Sequence, residues 1–173
     1  MRLITLFATI TANGYIADID DLDEIFDDPK NLNWNCFEEL ALEHGNIIWG
    51  RKTYEMVMSW SEEYTKNFEK IQIIVLSNTI TASLNSNVVI VKNIEEALKI
   101  TEELNLKPFV AGGKQTYSSF LEDTLVNRII LNFNSFFINQ GIKLFNDDIT
   151  NSYYKIKSVT QKNDSIAQII LER

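Results

Sequence analysis

Two short apolar runs end in glycine and continue directly into stretches with a helical pattern. Gly112 and Gly113 precede the run 114–121, and Gly50 precedes a run that opens with Arg51 and Lys52. Glycine lets a ligand approach the backbone closely, and the first N–H groups of a helix have no partner within the helix, so such junctions bind diphosphates. Two of them predict a ligand with several phosphates, although a glycine pair can also simply end a strand.

Basic side chains at these junctions are notable because the chain as a whole is acidic. It has 24 Asp and Glu against 16 Lys and Arg, a formal net charge of −8. This balance argues against non-specific binding of nucleic acid or anionic membranes, so an anionic ligand needs a local cationic patch. Arg51 and Lys52 are predicted to supply it, with Lys92 as a third cation. Each lysine could equally be a solvated surface charge.

The elements that must position these residues alternate along the chain. Strand-like apolar runs occupy residues 3–10, 46–49, 71–76, 88–91, 109–111 and 128–133. Helical patterns lie between most of them, the clearest at 94–104 behind a capping box of Asn93 and Glu96. This order predicts a single α/β domain over 1–173, a three-layer sandwich with a mixed, mostly parallel sheet. The last runs, 153–161 and 165–171, are joined so closely that they predict a C-terminal antiparallel hairpin.

The composition bears on the cellular compartment of the protein and on metal binding. Cys36 is the only cysteine, so no internal disulfide forms, and with the lone His44 it cannot build a metal site. We therefore expect a cytoplasmic protein without a bound metal. The apolar stretch 1–12 contains three threonines and is preceded by one charge, which favours a buried first strand over a signal peptide.

Five segments together resemble the dihydrofolate reductase-like fold. They are the first-strand segment 10–17, the Gly-Arg-x-Thr segment 49–55, the third-strand segment 74–77, the glycine pair within 110–113 and the Gly-x-x-Leu-Phe segment 141–145. Within that fold, the chain is most similar to the reductase domain of the riboflavin-biosynthesis deaminase-reductases and their stand-alone bacterial relatives. The resemblance implies an oxidoreductase that uses NADPH and, as is common among such relatives, forms a homodimer.

The resemblance also implies cofactor contacts, position by position. Ala8 and Ile16 match first-strand residues that line the nicotinamide pocket. The segment matched to the diphosphate and the adenosine phosphate comprises Gly50, Arg51, Lys52 and Thr53. Ser77 and Asn78 match the third-strand end beside that phosphate. The second diphosphate cradle comprises Gly112, Gly113, Lys114, Gln115 and Thr116.

The sequence offers no acidic residue at the position where the resemblance places the proton donor. Hydride transfer to a carbon–nitrogen or carbonyl double bond requires a proton from a positioned acid or from water. The folate enzymes carry a carboxylate in the helix before the Gly-Arg-x-Thr strand, but the matching positions, 34–36, hold no acid here. Glu38 is the nearest candidate, yet with Asn35 it fits a capping box, which we favour. One residue of the acidic run 18–28 could instead reach the site.

Asn13 and Trp34 are predicted at the substrate. Asn13 stands where the riboflavin-type motif often carries Asp, and this change bears on substrate identity. Trp34, with the other tryptophans, could wall a pocket for a pterin or pyrimidine, or could simply belong to the core. The expected function is reduction of a flat nitrogen heterocycle, resembling 5-amino-6-(5-phosphoribosylamino)uracil reductase. Dihydrofolate reductase and a non-catalytic nucleotide-binding protein are the alternatives, and the apolar run 129–131 could serve as a dimer interface.

Overall fold

The first strand lies in the middle of the main sheet of the computed structural model, which describes residues 3–20, 24–80, 83, 85–122 and 125–173. Every residue of this strand except Thr9 is buried, as expected for a run of β-branched and apolar residues covered on both faces. The strands are β1 (Ile4–Thr11), β2 (Tyr15–Ala17), β3 (Asn46–Gly50), β4 (Gln72–Leu76), β5 (Val88–Val91), β6 (Phe109–Val110), β7 (Val126–Asn134), β8 (Ile142–Lys143), β9 (Lys155–Gln161) and β10 (Ile166–Glu172).

Eight strands form the main sheet in the order β5-β4-β3-β6-β1-β7-β10-β9. The first six in this order are parallel, and β10 runs antiparallel to both β7 and β9. β1 pairs with β7 along its whole length, from Ile4 opposite Val126 to Thr11 opposite Asn134. The mixed sheet and its C-terminal hairpin confirm the sequence prediction, whereas the separate β2–β8 pair was not predicted.

Helices cover both faces of the sheet. They are α1 (Leu32–His44), α2 (Arg51–Met58), α3 (Glu62–Thr65), α4 (Ile94–Glu103) and α5 (Lys114–Glu122), with 3-10 helices at Glu24–Phe26 and Lys66–Lys70. The α1 and α2 side buries a cluster around Phe37 and Trp49, and the α4 and α5 side buries one around Leu98 and Phe120. The predicted three-layer sandwich is therefore confirmed.

Two local predictions met different outcomes. At α4, the capping box is confirmed, because Glu96 N donates to Asn93 Oδ1 at 2.8 Å and Asn93 Nδ2 donates back to Glu96 Oε1 at 3.2 Å. The capping box predicted for Asn35 and Glu38 is wrong. The helix α1 begins three residues earlier, at Leu32, so Asn35 lies within it.

The interface predicted at 129–131 is also wrong, because β7 is an interior strand. Ile129 and Ile130 are 5% and 3% exposed and pack into the cores on opposite faces of the sheet. Of the helices in the described ranges, none is both long and apolar enough to cross a membrane. The same residues contain no group of three or more His, Cys, Asp or Glu side chains arranged to hold a metal.

Candidate active site

A cavity of about 1170 Å³ opens where the parallel strands end. Its lining comes from the residues that follow β3, β4, β5 and β6, from β1 and β2, and from the start of α1. In an open α/β sheet, ligands bind outside the carboxyl ends of the strands, where the following helices begin. This cavity is therefore the candidate site.

The N-termini of α2 and α5 meet at one wall of the cavity. Gly50 N donates to Gly112 O at 2.9 Å, and a Cβ on Gly50 would lie 2.7 Å from Thr116 Oγ1. Gly112 has a φ of +145°, a conformation that favours glycine, and its peptide bond to Gly113 is cis. The absence of side chains at Gly50 and Gly112 thus lets two helix N-termini face the same space.

Polar groups at this wall are available to a ligand. Thr116 is 6% exposed and lines the cavity, yet its hydroxyl makes no hydrogen bond to any described residue. Tyr117 N donates to Gly113 O at 2.9 Å, so the amides that precede it in α5 have no acceptor within the helix. A hydroxyl and backbone amides that are open to the cavity can donate hydrogen bonds to a ligand, so the wall suits a ligand that brings acceptors.

Four cationic side chains line the cavity, namely Arg51, Lys52, Lys92 and Lys114. Arg51 Nη1 lies 2.9 Å from Glu55 Oε2, one turn further along α2, and both side chains are partly exposed. The three lysines form no ion pair with another described residue. An exposed i,i+4 pair contributes only about 0.3–0.5 kcal/mol, so Arg51 can exchange Glu55 for a phosphate at little cost.

The turn after β4 is fixed by its own residues. Ser77 Oγ accepts hydrogen bonds of 3.1 Å from the N–H groups of both Thr79 and Ile80. Asn78 and Lys92, which are both exposed, lie on adjacent strand ends and line the same cavity. The predicted phosphate-side residues are therefore brought together, with Ser77 shaping the turn.

Aromatic side chains wall the cavity on the α1 side. The lining rings are Phe7, Phe26, Trp34, Phe37, Trp49, Trp60 and Tyr64. Trp34 meets Trp60 and Tyr64 edge to face, with ring centroids 5.4 and 5.2 Å away, and its centroid lies 5.2 Å from that of Phe37. Trp34 is thus both a member of an aromatic cluster and a wall of the cavity, which suits a flat ring.

Three predicted site residues are not brought to the cavity. Ala8 is 1% exposed and packs in the core on the α5 side. Asn13 Nδ2 donates to Ile138 O at 2.7 Å and so ties the turn after β1 to the segment after β7. Glu38 Oε1 accepts a hydrogen bond of 3.0 Å from Asn67 Nδ2. Each of the other predicted cofactor residues lines the cavity.

Several lining residues were not predicted, among them Thr9 and Asn33. Alternation along β1 offers a signal for Thr9, because Phe7 and Thr9 share one face of the strand while Ala8 points to the other. Asn33 gives no local signal. Its Nδ2 donates to Asn134 Oδ1 at 3.0 Å, a contact between residues 101 apart in the sequence.

Carboxylates from the acidic run reach the cavity, as the sequence allowed. Glu24, Asp27 and Asp28 line it, whereas residues 21–23 of the run lie outside the described part of the chain. Asp28 Oδ2 accepts a hydrogen bond of 3.3 Å from Asn33 N and so helps to fix the start of α1.

Solved structures of similar fold bear names connected with riboflavin biosynthesis or pyrimidine reduction. A protein assigned to riboflavin biosynthesis from Shewanella sp. PV-4 superposes with a TM-score of 0.80 at 21% identity, covering 100% of this chain and 99% of that one. A pyrimidine reductase-like protein from Corynebacterium diphtheriae gives a TM-score of 0.75 at 13% identity, covering 99% and 91%. At these identities the likeness establishes the fold.

A third structure is a diaminohydroxyphosphoribosylaminopyrimidine deaminase/5-amino-6-(5-phosphoribosylamino)uracil reductase from Thermotoga maritima. Its TM-score is 0.73 at 15% identity, and the match covers 99% of this chain but 56% of that longer one. No curated protein sequence matches this chain. The family profile described as dihydrofolate reductase matches residues 4–167. Because that match spans nearly the whole sequence, the chain belongs to the dihydrofolate reductase family.

Proposed function

We propose that this protein is an NADPH-dependent reductase of a flat nitrogen heterocycle. The observation that carries the proposal is the meeting of two helix N-termini, at Gly50 and Gly112, in one cavity lined by four cations. Helix N-termini favour diphosphate, and an additional phosphate group needs cations that keep their charge, which Arg and Lys provide. The donor set therefore fits NADPH in a chain whose overall charge is negative.

Different residues would bind different parts of the cofactor. Thr53 and Thr116, with the amides at the starts of α2 and α5, would bind the diphosphate. Arg51, helped by Lys52 and Lys92, would bind the phosphate on the adenosine side. When bound, the cofactor supplies the hydride. The aromatic wall around Trp34 would hold the acceptor ring flat and exclude water from it.

The family relationship agrees with a reductase, and the names of the structural neighbours suggest a substrate. An aminouracil of the riboflavin type is one candidate, and the pterin of dihydrofolate is another. A turnover screen with NADPH against both ring types would distinguish them. Absence of turnover with intact NADPH binding would favour the third alternative, a nucleotide-binding protein without catalysis.

Cofactor choice tests the proposal through Arg51. We expect Arg51→Ala to weaken NADPH binding by about 1.5–3 kcal/mol, the usual range for hydrogen bonds to a charged group, and to leave NADH binding nearly unchanged. Nicotinamide fluorescence titration measures both affinities.

A matched control separates the phosphate from the ion pair on α2. Glu55→Gln also breaks the pair with Arg51 but keeps the guanidinium, so NADPH should bind at least as tightly as it does to the wild type. Equal losses for NADPH and NADH in Arg51→Ala would remove Arg51 from the phosphate. Failure of the wild-type protein to bind NADPH would refute the proposed function.

A further inference from the structure

Charge is divided unevenly along the cavity. Lys92 follows β5 and Arg51 follows β3, so these cations line the part of the cavity beside the β5, β4 and β3 end of the sheet. Glu24, Asp27 and Asp28 precede α1, whose Asn33 is hydrogen-bonded to β7 at the other side of β1. The sheet order thus places Arg51 and Lys92 on one side of β1 and the segment that carries these carboxylates on the other.

The carboxylate end is also the aromatic end. Phe26 follows Glu24 in the same 3-10 helix and lines the cavity, and Trp34 lies in the first turn of α1. The flat ring of the substrate is therefore expected beside Glu24, Asp27 and Asp28. Asp27 and Glu24 are exposed and Asp28 is half-buried, so all three retain contact with solvent.

No positive charge balances these carboxylates within the described lining. None of the lining residues from β1, β2, the 3-10 helix 24–26 or α1 is Lys or Arg. Lys30 belongs to the same turn but is exposed and does not line the cavity. Two further carboxylates, Glu95 and Glu122, line it from α4 and α5.

We infer that the substrate end of this cavity takes a flat heterocycle that carries no phosphate or carboxylate. A phosphate group placed there would face like charges without a compensating cation, and like charges brought together in a cleft oppose binding. The cations lie instead where the cofactor phosphates are proposed. This inference rests on the proposed function and narrows its substrate class to neutral or cationic rings, setting the protein apart from a reductase of a phosphoribosyl substrate.

Matched ligand pairs test the inference on the NADP⁺-bound protein. One pair is 5-amino-6-(ribosylamino)uracil and its 5′-phosphate, whose binding is measured by the quenching of tryptophan fluorescence. The other pair is 6-hydroxymethylpterin and pterin-6-carboxylate, whose binding is measured by pterin fluorescence anisotropy. We expect the uncharged member of at least one pair to bind at least about tenfold more tightly than its anionic counterpart, and the ratio to shrink at high salt.

Reversing the charge of one carboxylate at the substrate end tests whether these charges cause the ligand preference. Asp27→Lys should shift the binding ratio about tenfold toward the anionic member, because a cation then stands at the substrate end. Glu43→Lys makes the same change in net charge at the exposed far end of α1 and should leave the ratio unchanged.

The outcomes separate the two proposals. Tighter binding of the phosphorylated or carboxylated member by the wild type would overturn the inference, as would an unchanged ratio in Asp27→Lys or no binding of either pair. NADPH affinity is measured in the same samples. If NADPH binds while the ligand preference fails, the proposed cofactor function stands and only the substrate class is wrong.

Discussion

Glu38 is engaged with a neighbouring side chain instead of facing the cavity. Its Oε1 accepts a hydrogen bond of 3.0 Å from Asn67 Nδ2, which belongs to the 3-10 helix 66–70. A proton donor must come within hydrogen-bond reach of the reacting atom, directly or through one water. Glu38 therefore serves to join α1 to that 3-10 helix.

The Glu38→Gln variant should consequently retain its chemistry. Gln keeps an oxygen that can accept from Asn67, so the free energy of unfolding should change by less than about 1 kcal/mol. The rate of hydride transfer in single turnovers should fall by less than about tenfold, whereas removal of a general acid costs about 10²–10⁴-fold. A fall of that larger size, in a protein that melts normally, would identify Glu38 as the acid.

His44 is a buried ring at the end of α1. Its Nδ1 lies 2.8 Å from Leu40 O and its Nε2 lies 3.3 Å from Thr5 Oγ1, so a neutral ring that donates from Nδ1 satisfies both contacts. The ring also stacks on Phe109, with centroids 4.8 Å apart. Burial lowers the pKa of His44 below its usual value.

Stability should therefore fall in mild acid. The unfolded chain, in which the pKa of His44 is near 6.5, binds a proton more readily than the folded one, so stability is complete above that pH and declines as the pH falls below it. The decline is at most about 1.4 kcal/mol per pH unit for one group. Thermal melts between pH 7.5 and 5.5 measure it. The His44→Gln variant should be less stable than the wild type at pH 7.5, but its stability should fall less steeply as the pH is lowered. Equal dependence of stability on pH in the two proteins would show that His44 does not cause the decline.

At the scale of elements, the junction of α2 and α5 depends on a small residue at Gly50. Its backbone φ of −74° would accept alanine, so the obstacle is the approach of Thr116 Oγ1. Gly50→Ala should destabilise the protein by about 1–3 kcal/mol, the typical cost of an extra carbon in a packed interior. Chemical denaturation gives the free energy of unfolding.

A second substitution tests whether the contact with Thr116 Oγ1 is the reason that Gly50 must be small. Thr116→Ala removes the hydroxyl, so the double variant should recover at least half of the stability lost in Gly50→Ala. Coupling of this kind between contacting residues is measured by a double-mutant cycle. Additive losses would mean that Gly50 is required for a reason other than this contact.

Local patterns predicted the elements more completely than the site. The glycine junctions and the α4 capping box are encoded within a few residues, so their positions followed from the sequence. The period of two along β1 puts Phe7 and Ala8 on opposite faces of the strand but does not tell which of them faces the cavity, and matching by family position selected Ala8. The contacts of Asn13 and Asn33 could not be predicted, because their partners Ile138 and Asn134 are more than a hundred residues away.

At the scale of the whole molecule, an apolar stripe remains exposed on the C-terminal hairpin. Ile156 and Val159 are 70% and 60% exposed, and they stand opposite Leu171 and Ile169 on the same face of β9 and β10. Lysines along β9 discourage pairing at the strand edge itself. We propose that a homodimer forms through this face, in place of the buried run 129–131.

Val159→Glu should weaken such a dimer by at least about tenfold, because a charge would enter an apolar interface. Sedimentation equilibrium measures the dissociation constant. Thr160→Glu places the same charge on the neighbouring residue, which points to the other face of β9, and should leave association unchanged. A monomeric wild-type protein, or equal effects of the two variants, would rule out this interface.

The central position of β1 affects how the chain is made. Its two partners in the sheet, β6 and β7, begin at Phe109 and Val126, about a hundred residues later. At about 5–20 residues per second, the ribosome needs roughly 5–20 s to supply them. During that interval a strand of eight residues, seven of them buried in the finished sheet, has neither neighbour. Newly made chains are therefore expected to need protection from aggregation until β7 emerges.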